Sequence, residues 1–270
     1  MKFALVNGEK VEATKGAKGF CPSCGSELIA KCGEVKVNHW AHKENRNCDP
    51  WWENETEWHR SWKGKFPIDW QEVIHFDGNG EKHIADVETQ TGWVLEFQHS
   101  YLNPEERCSR NAFYSKLVWI VDGTRRKTDI PQFEKILKES AIVTNNPPIQ
   151  IRRVHFPEEC RLLREWHDSD ALVFFDFQEA KETKQTMLWF LFPKISNSEA
   201  YISTFPRGLF IELHNENKFD EMVRDTILPI QKELARGIQI RRKNIEYGHP
   251  NRVFGFERYM ENKRRRQRRF

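Results

Sequence analysis

The chain has 270 residues with 31% charged and 38% hydrophobic residues, the latter below the usual ~45–50%, yet its 19 Phe and 10 Trp can still fill a core. A net charge of only +3 excludes wholesale disorder, and six cysteines are too sparse for a disulfide scaffold. No apolar run approaches the ~20 residues that span a bilayer, and the start MKFALVNGEKVEA lacks the apolar stretch of a signal peptide, so a cytoplasmic protein is expected.

Residues 2–14 alternate around Asn7-Gly8, a hairpin signal. Cys21-Pro22-Ser23-Cys24-Gly25 follows as a knuckle. Two thiolates three residues apart on a tight turn can reach one zinc, and the glycine lets the backbone bend back toward the sulfurs. The second pair of ligands is expected among His39, His42 and Cys48. The spacings C-x2-C-x14-H-x2-H and C-x2-C-x17-H-x5-C both fit a small zinc fold. His42 with Cys48 is preferred, because a third thiolate tightens a structural site, and His39 is the alternate. Cys32 falls in mid-hairpin, between Leu28–Lys31 and Val35–Val37. Four protein ligands close the site, which makes the expected Zn2+ structural.

A helix is predicted over 53–66. Glu55, His59, Trp62, Lys63 and Phe66 fall on one face of it. Polar groups on an apolar stripe need a reason, and for His59 the bland one is a hydrogen-bonded core histidine. Strands are predicted at 72–76, 82–89 and 93–98, joined by Asp77-Gly78-Asn79-Gly80 and by the turn at 90–92. Asp86 and Glu96 then lie on adjacent antiparallel strands. Glu96 sits amid Trp93, Val94, Leu95 and Phe97, where a carboxylate is costly unless paired or bound to a metal. Such a pair of hard oxygen donors suits Mg2+ or Mn2+; the alternative is an edge hairpin with solvated acids. Asn103-Pro104-Glu105-Glu106 starts a second helix that runs to about Tyr114 and carries Arg110 and Tyr114 at i, i+4. That pair could hold a phosphate or line a packed surface. Leu117–Val121 reads as a buried strand.

Asn145-Asn146-Pro147-Pro148 reads as a domain boundary. Beyond it, strands are expected at 171–177, 187–192 and about 209–213, and helices at about 217–235 and 256–268. Residues 251–270 hold 8 Lys/Arg and 2 Asp/Glu, a local +6 on a chain otherwise at −3, and residues 51–100 carry 4 basic against 10 acidic groups. The run Lys263–Arg269 is either a sequence-independent phosphate-binding segment or a solubilising end.

The set CPSCG, HWAH with Cys48, ENETEWHRSWK, HIADV, EFQHS and R-x3-Y before LVWIVDG resembles the competence protein CoiA-like family, a branch of the PD-(D/E)XK nuclease superfamily. The resemblance covers roughly residues 20–125. It implies a zinc-binding N-terminal element and a restriction-endonuclease-like αβββαβ core, the order read above. It implies Asp86 and Glu96 as Mg2+ or Mn2+ ligands, and it places Gln98 where most of the superfamily carries lysine. Glu55 and His59 match the family's helix motif, and Ser100, Arg110 and Tyr114 match its downstream positions. A glutamine has no charge and no useful pKa, so it can only orient a water. Deprotonation would rest on the metal, with His59 as an assisting base.

The expected protein is therefore α+β (α/β), with a zinc-binding element over residues 1–50, a nuclease-like core over 51–145 and a C-terminal α+β region over 150–270 ending in the basic tail. Its expected function is metal-dependent hydrolysis of DNA phosphodiester bonds in DNA processing or recombination. Asp86, Glu96, Gln98, Glu55 and His59 would be catalytic, and Arg110, Tyr114 and Ser100 would bind substrate. Two alternatives are a catalytically silent DNA-binding recombination accessory and a zinc-stabilised protein–protein adaptor.

Overall fold

The computed structural model describes residues 1–34, 36–44, 55–76, 82–146, 149–178 and 187–246. Cys48, the turn at 77–80, the helix expected at 256–268 and the tail 263–270 lie outside the described residues. Contacts divide the chain into two units, Met1–Met222 and Val223–Phe270.

The first unit begins with five strands: β1 Phe3–Val6, β2 Glu9–Glu12, β3 Lys18–Phe20, β4 Glu27–Lys31 and β5 His39–His42. They form one antiparallel sheet in the order β2-β1-β3-β4-β5. Asn7 and Gly8 both have positive φ, 54° and 88°, as a two-residue hairpin turn with the twist of its strands requires. Trp40, Leu28, Ala4, Ala13 and Cys21 bury a small core. The last hairpin strand is His39–His42 rather than the expected Val35–Val37, because Trp40 is the residue that this core takes in.

Next come α1 Glu57–Lys63, β6 Gln71–Phe76, β7 Lys82–Glu88, β8 Val94–Gln98, α2 Pro104–Phe113 and β9 Leu117–Asp122. Thr56 caps α1 in a capping box with His59. Asn103 caps α2, and Pro104 takes its first position. Gly92, at φ 77°, closes the turn between β7 and β8. Every residue of β8 and β9 is buried, as expected of parallel strands covered on both faces.

Then follow α3 Asp129–Glu139, β10 Ala141–Asn146, β11 Ile149–Val154, α4 Arg161–Trp166, β12 Leu172–Asp176, β13 Met187–Leu191, β14 Ala200–Pro206, α5 Arg207–Asn215 and α6 Phe219–Met222. These strands extend the second sheet to β10-β11-β14-β13-β12-β9-β8-β7-β6. The pairs β8–β9 and β9–β12 are parallel and the other pairs are antiparallel.

Two expectations are corrected here. Asn145 to Pro148 does not separate two domains: β10 and β11 on either side pair with each other and belong to the same sheet as β6–β9. Asn146 and Ile149 on either side are register partners. The segment 209–213 is not a strand but the middle of α5, which buries Phe210 and His214, four residues apart. A short apolar run leaves helix and strand indistinguishable by pattern.

The large sheet is covered on both faces. Trp119, Val121, Val173 and Phe175 pack with Phe133 and Ile136 of α3 and with Leu162, Leu163 and Trp166 of α4. On the other face Phe97 stacks on Trp62 of α1 at 5.6 Å, and Phe174 meets Phe210 of α5 at 4.9 Å.

The second unit has a π-helical turn, Val223–Ile227, followed by α7 Leu228–Glu246. The helix expected over 217–235 is thus α6, a π turn and a longer α7. Among the described residues no helix is long and apolar enough to cross a membrane.

Candidate functional site

The knuckle forms at the end of β3. The amide of Gly25 donates to the Cys21 carbonyl at 2.9 Å, and the amide of Cys21 donates to Ser26 O at 2.8 Å. Gly25 takes φ 70°, which turns the chain back on itself. β5 pairs with β4 so that His42 lies opposite Leu28, next to the knuckle. The ligand atoms of Cys21, Cys24 and His42 all lie within 4.8 Å of one another, and Cys24 Sγ is 3.3 Å from His42 Nε2. Burial raises the Cys24 pKa, but hydrogen bonds with Ser26, His42 and Cys21 outweigh it and bring the thiol down to about 6. This set can hold a metal ion, and two sulfurs with an imidazole nitrogen are the donors zinc prefers. His39 is not part of it. Three residues before His42 on a strand, it points to the other face, and its Nδ1 lies 2.9 Å from Val37 O.

A second cluster is ionic. Lys63 Nζ lies 2.9 Å from Glu55 Oε1, 2.9 Å from Asp86 Oδ1 and 3.5 Å from Glu72 Oε1. Glu55 precedes α1, Asp86 lies on β7 and Glu72 on β6. Burial opposes the Lys63 charge, but Asp86, Glu55 and Glu72 together hold its pKa well above the lysine range. Burial likewise raises the Glu55 carboxyl, yet Lys63 and Arg60 bring it down to about 2. The second Asp86 oxygen accepts the Phe97 amide at 3.0 Å.

Glu96 does not join this cluster. Phe97 packs against Trp62 of α1, so Glu96, one residue earlier, points to the opposite face of the sheet. There its Oε2 lies 3.1 Å from Arg110 Nη1 on α2. Arg110 also pairs with Glu106 at 2.5 Å. The expected pairing of Asp86 with Glu96 is thus replaced by Asp86 with Lys63 and Glu96 with Arg110. Gln98 is buried and its amide donates to Ser100 O and Oγ, each at 3.3 Å. Tyr114 packs its ring on His75 and Phe113. His59 is 4% exposed, and its Nδ1 accepts the Thr56 amide at 3.4 Å.

The carboxylate set around Lys63 therefore includes Glu72, which sequence reasoning did not single out. Glu72 carries no spacing signal. Only its backbone, at φ 50°, and its 7% exposure mark it. Lys63 was legible as a member of the Glu55–His59 stripe.

Residues 5–50 match the family model described as the N-terminal domain of competence protein CoiA. The chain is also similar to Competence protein CoiA of Bacillus subtilis (strain 168), with 27% identity over 133 residues, 48% of this chain and 35% of that protein. The match thus spans about a third of that relative's length. No solved structure matches the chain. The two sequence matches support a relationship to the CoiA family.

Proposed function

We propose that this chain is a metal-dependent nuclease that hydrolyses DNA phosphodiester bonds in the cytoplasm, in DNA processing linked to competence. The observation that carries the reading is the convergence of Glu55, Glu72 and Asp86 on one cationic position. Their oxygens are the hard donors that Mg2+ and Mn2+ take. The element order α1-β6-β7-β8-α2-β9, with β8 and β9 parallel, supports a PD-(D/E)XK-type core. The CoiA similarity supports the link to competence alone.

In this reading Glu55, Asp86 and Glu72 hold the cation, with the Lys63 amine giving way to it. When bound, the metal lowers the pKa of a water and polarises a phosphoryl oxygen. Glu96 fastens Arg110 to the opposite face of the sheet, where the pair secures α2, and the basic tail contributes phosphate affinity of its own. Gln98, on the face of Glu96, holds Ser100 through its amide instead of a water at the carboxylate cluster. A structural zinc on Cys21, Cys24, His42 and a further ligand such as Cys48 secures the N-terminal sheet.

One observation favours a second reading, the catalytically silent DNA-binding accessory. Lys63 already stands among the three carboxylates and Arg60 pairs with Glu55, so the cluster forms an ion-pair network without a metal. Labelled single-stranded, duplex and branched DNA incubated with Mn2+ or with EDTA separates the two. Cleavage that needs Mn2+ and is lost in Asp86→Asn supports the nuclease. Binding without cleavage supports the accessory.

A further inference from the structure

Outside the clusters above, one arrangement has the geometry of a proton-transfer site. His99 follows β8, and its Nδ1 lies 2.7 Å from Oδ2 of Asp122, the last residue of β9. Asp122 is 1% exposed. Its other oxygen accepts the Thr124 amide at 2.8 Å, the Thr124 hydroxyl at 2.7 Å and the Gln178 amide at 3.3 Å. Gln178 is held at φ 47°, a conformation uncommon for residues other than glycine. A carboxylate only accepts, so Nδ1 of His99 carries the hydrogen. The lone pair of the neutral ring is then on Nε2. The imidazole is 39% exposed and within reach of solvent.

The position adds to this. His99, Asp122 and Asp176 stand at the carboxyl ends of the three adjacent parallel strands β8, β9 and β12, the end at which open α/β sheets bind ligands. The rings of Trp58 and His59 on α1 lie 6.3 and 6.1 Å from the His99 ring. His59 itself is unsuited to take a proton through Nδ1, because that atom accepts the Thr56 amide in the capping box. Among the described residues Asp122 from β9 and His59 from α1 face His99, and Arg125 donates to the carbonyl of the adjacent Ser100.

We infer that His99, oriented by Asp122, is the general base of the hydrolysis, the role that Gln98 cannot fill. The inference rests on the nuclease reading. As the water oxygen bonds to phosphorus, its proton passes to His99 Nε2. One bridging P–O bond breaks, and the leaving alkoxide takes a proton from solvent. The imidazolium, stabilised by Asp122, returns its proton to water. Aspartate fixes the tautomer of a histidine in the same manner in serine hydrolases.

The test uses the full chain with Mn2+ and labelled DNA, comparing wild type, His99→Gln, His99→Ala and Asp86→Asn. A positioned general base contributes roughly 10²–10⁴-fold. His99→Gln should therefore lose about that much in kcat with KM unchanged, and added imidazole should restore part of the His99→Ala rate. Independently of activity, ¹⁵N-resolved histidine spectra should show His99 protonated at Nδ1 in wild type, and that signature should vanish in Asp122→Asn. A wild-type rate in His99→Gln, or a hydrogen on Nε2 in the neutral ring, would overturn the inference and leave the nuclease standing. No cleavage by wild type with any of the DNA forms would overturn both.

Discussion

Lys63 on α1 and Asp86 on β7 form an ion pair of 2.9 Å across the helix–sheet interface, with the lysine side chain only 5% exposed. The ammonium thus stands at the centre of three carboxylates rather than in water. Lys63→Met keeps the length of the stem and removes the charge. Leaving partners of a buried pair uncompensated costs about 3–5 kcal/mol, so the variant should melt well below wild type in EDTA. Mn2+ should then raise its melting temperature by more than it raises that of wild type, because the cation binds the folded cluster alone. An equal shift in both would mean that the carboxylates do not form a cation site.

Glu55 gives this cluster a pH signature. Its folded pKa, about 2, lies below the ordinary value of 4.5. Its contribution is therefore present above that ordinary value and disappears as pH falls through the folded one. Acid unfolding of Glu55→Gln should start from a lower stability and show a shallower dependence across that interval. A curve parallel to wild type would remove Glu55 from the account of acid stability.

Glu96 and Arg110 are both buried, with side chains 6% and 5% exposed. Glu96→Gln should lower stability with or without Mn2+, since its partner is a guanidinium. A double-mutant cycle with Arg110→Gln should give a coupling of about 0.5–3 kcal/mol. Additive losses would mean that the two side chains do not stabilise the fold as a pair.

At the knuckle, purified protein washed with a weak chelator should retain zinc, and Cys21→Ser/Cys24→Ser should not. Metal binding to a structural site is folding free energy. The double variant should therefore melt several degrees lower, at ~2–4 °C per kcal/mol for a domain of this size. Full zinc occupancy in the double variant would rule out the knuckle as the site.

His214 offers a separate test of core packing. Burial lowers its pKa to about 4, although its bond to Phe210 O at 2.7 Å works the other way. Its ring stacks on Phe219 at 3.8 Å. The unfolded chain takes up this proton near 6.5 and the folded chain only near 4, so the histidine's contribution is full above the upper value and is lost as pH falls toward the lower one. His214→Phe should flatten that part of the stability profile in urea melts. An unchanged slope would place the ring in water.

The order α1 to β9 was legible because its punctuation is local. Asn103-Pro104 and Gly92 act through backbone chemistry that a single sequence displays. Beyond residue 145 the same logic misled, since the strands on either side of Asn-Asn-Pro-Pro pair with each other, and Leu209 to Leu213 is too short to reveal its period. The site was legible in membership more than in pairing. Alternation placed Glu96 and Gln98 on one face, but nothing in a strand says which helix will cover that face. The covering helix proved to be α2, with Arg110, and Asp86 turned to α1 instead. His99 and Asp122 are 23 residues apart and meet only because β8 and β9 run parallel.

Glu72 has one further consequence. Its two oxygens accept the backbone amides of Lys2 and Phe3, at 2.6 and 3.1 Å, while Oε1 also faces Lys63 at 3.5 Å. The side chain is therefore a mechanical link, with one end fastened to the first strand of the small sheet and the other to the buried charges. A change in the hairpins of the small sheet that shifts Lys2 and Phe3 would therefore also shift the Glu72 carboxylate beside Lys63. A defect remote from Lys63 in sequence and chemistry would then surface as a defect in cation binding.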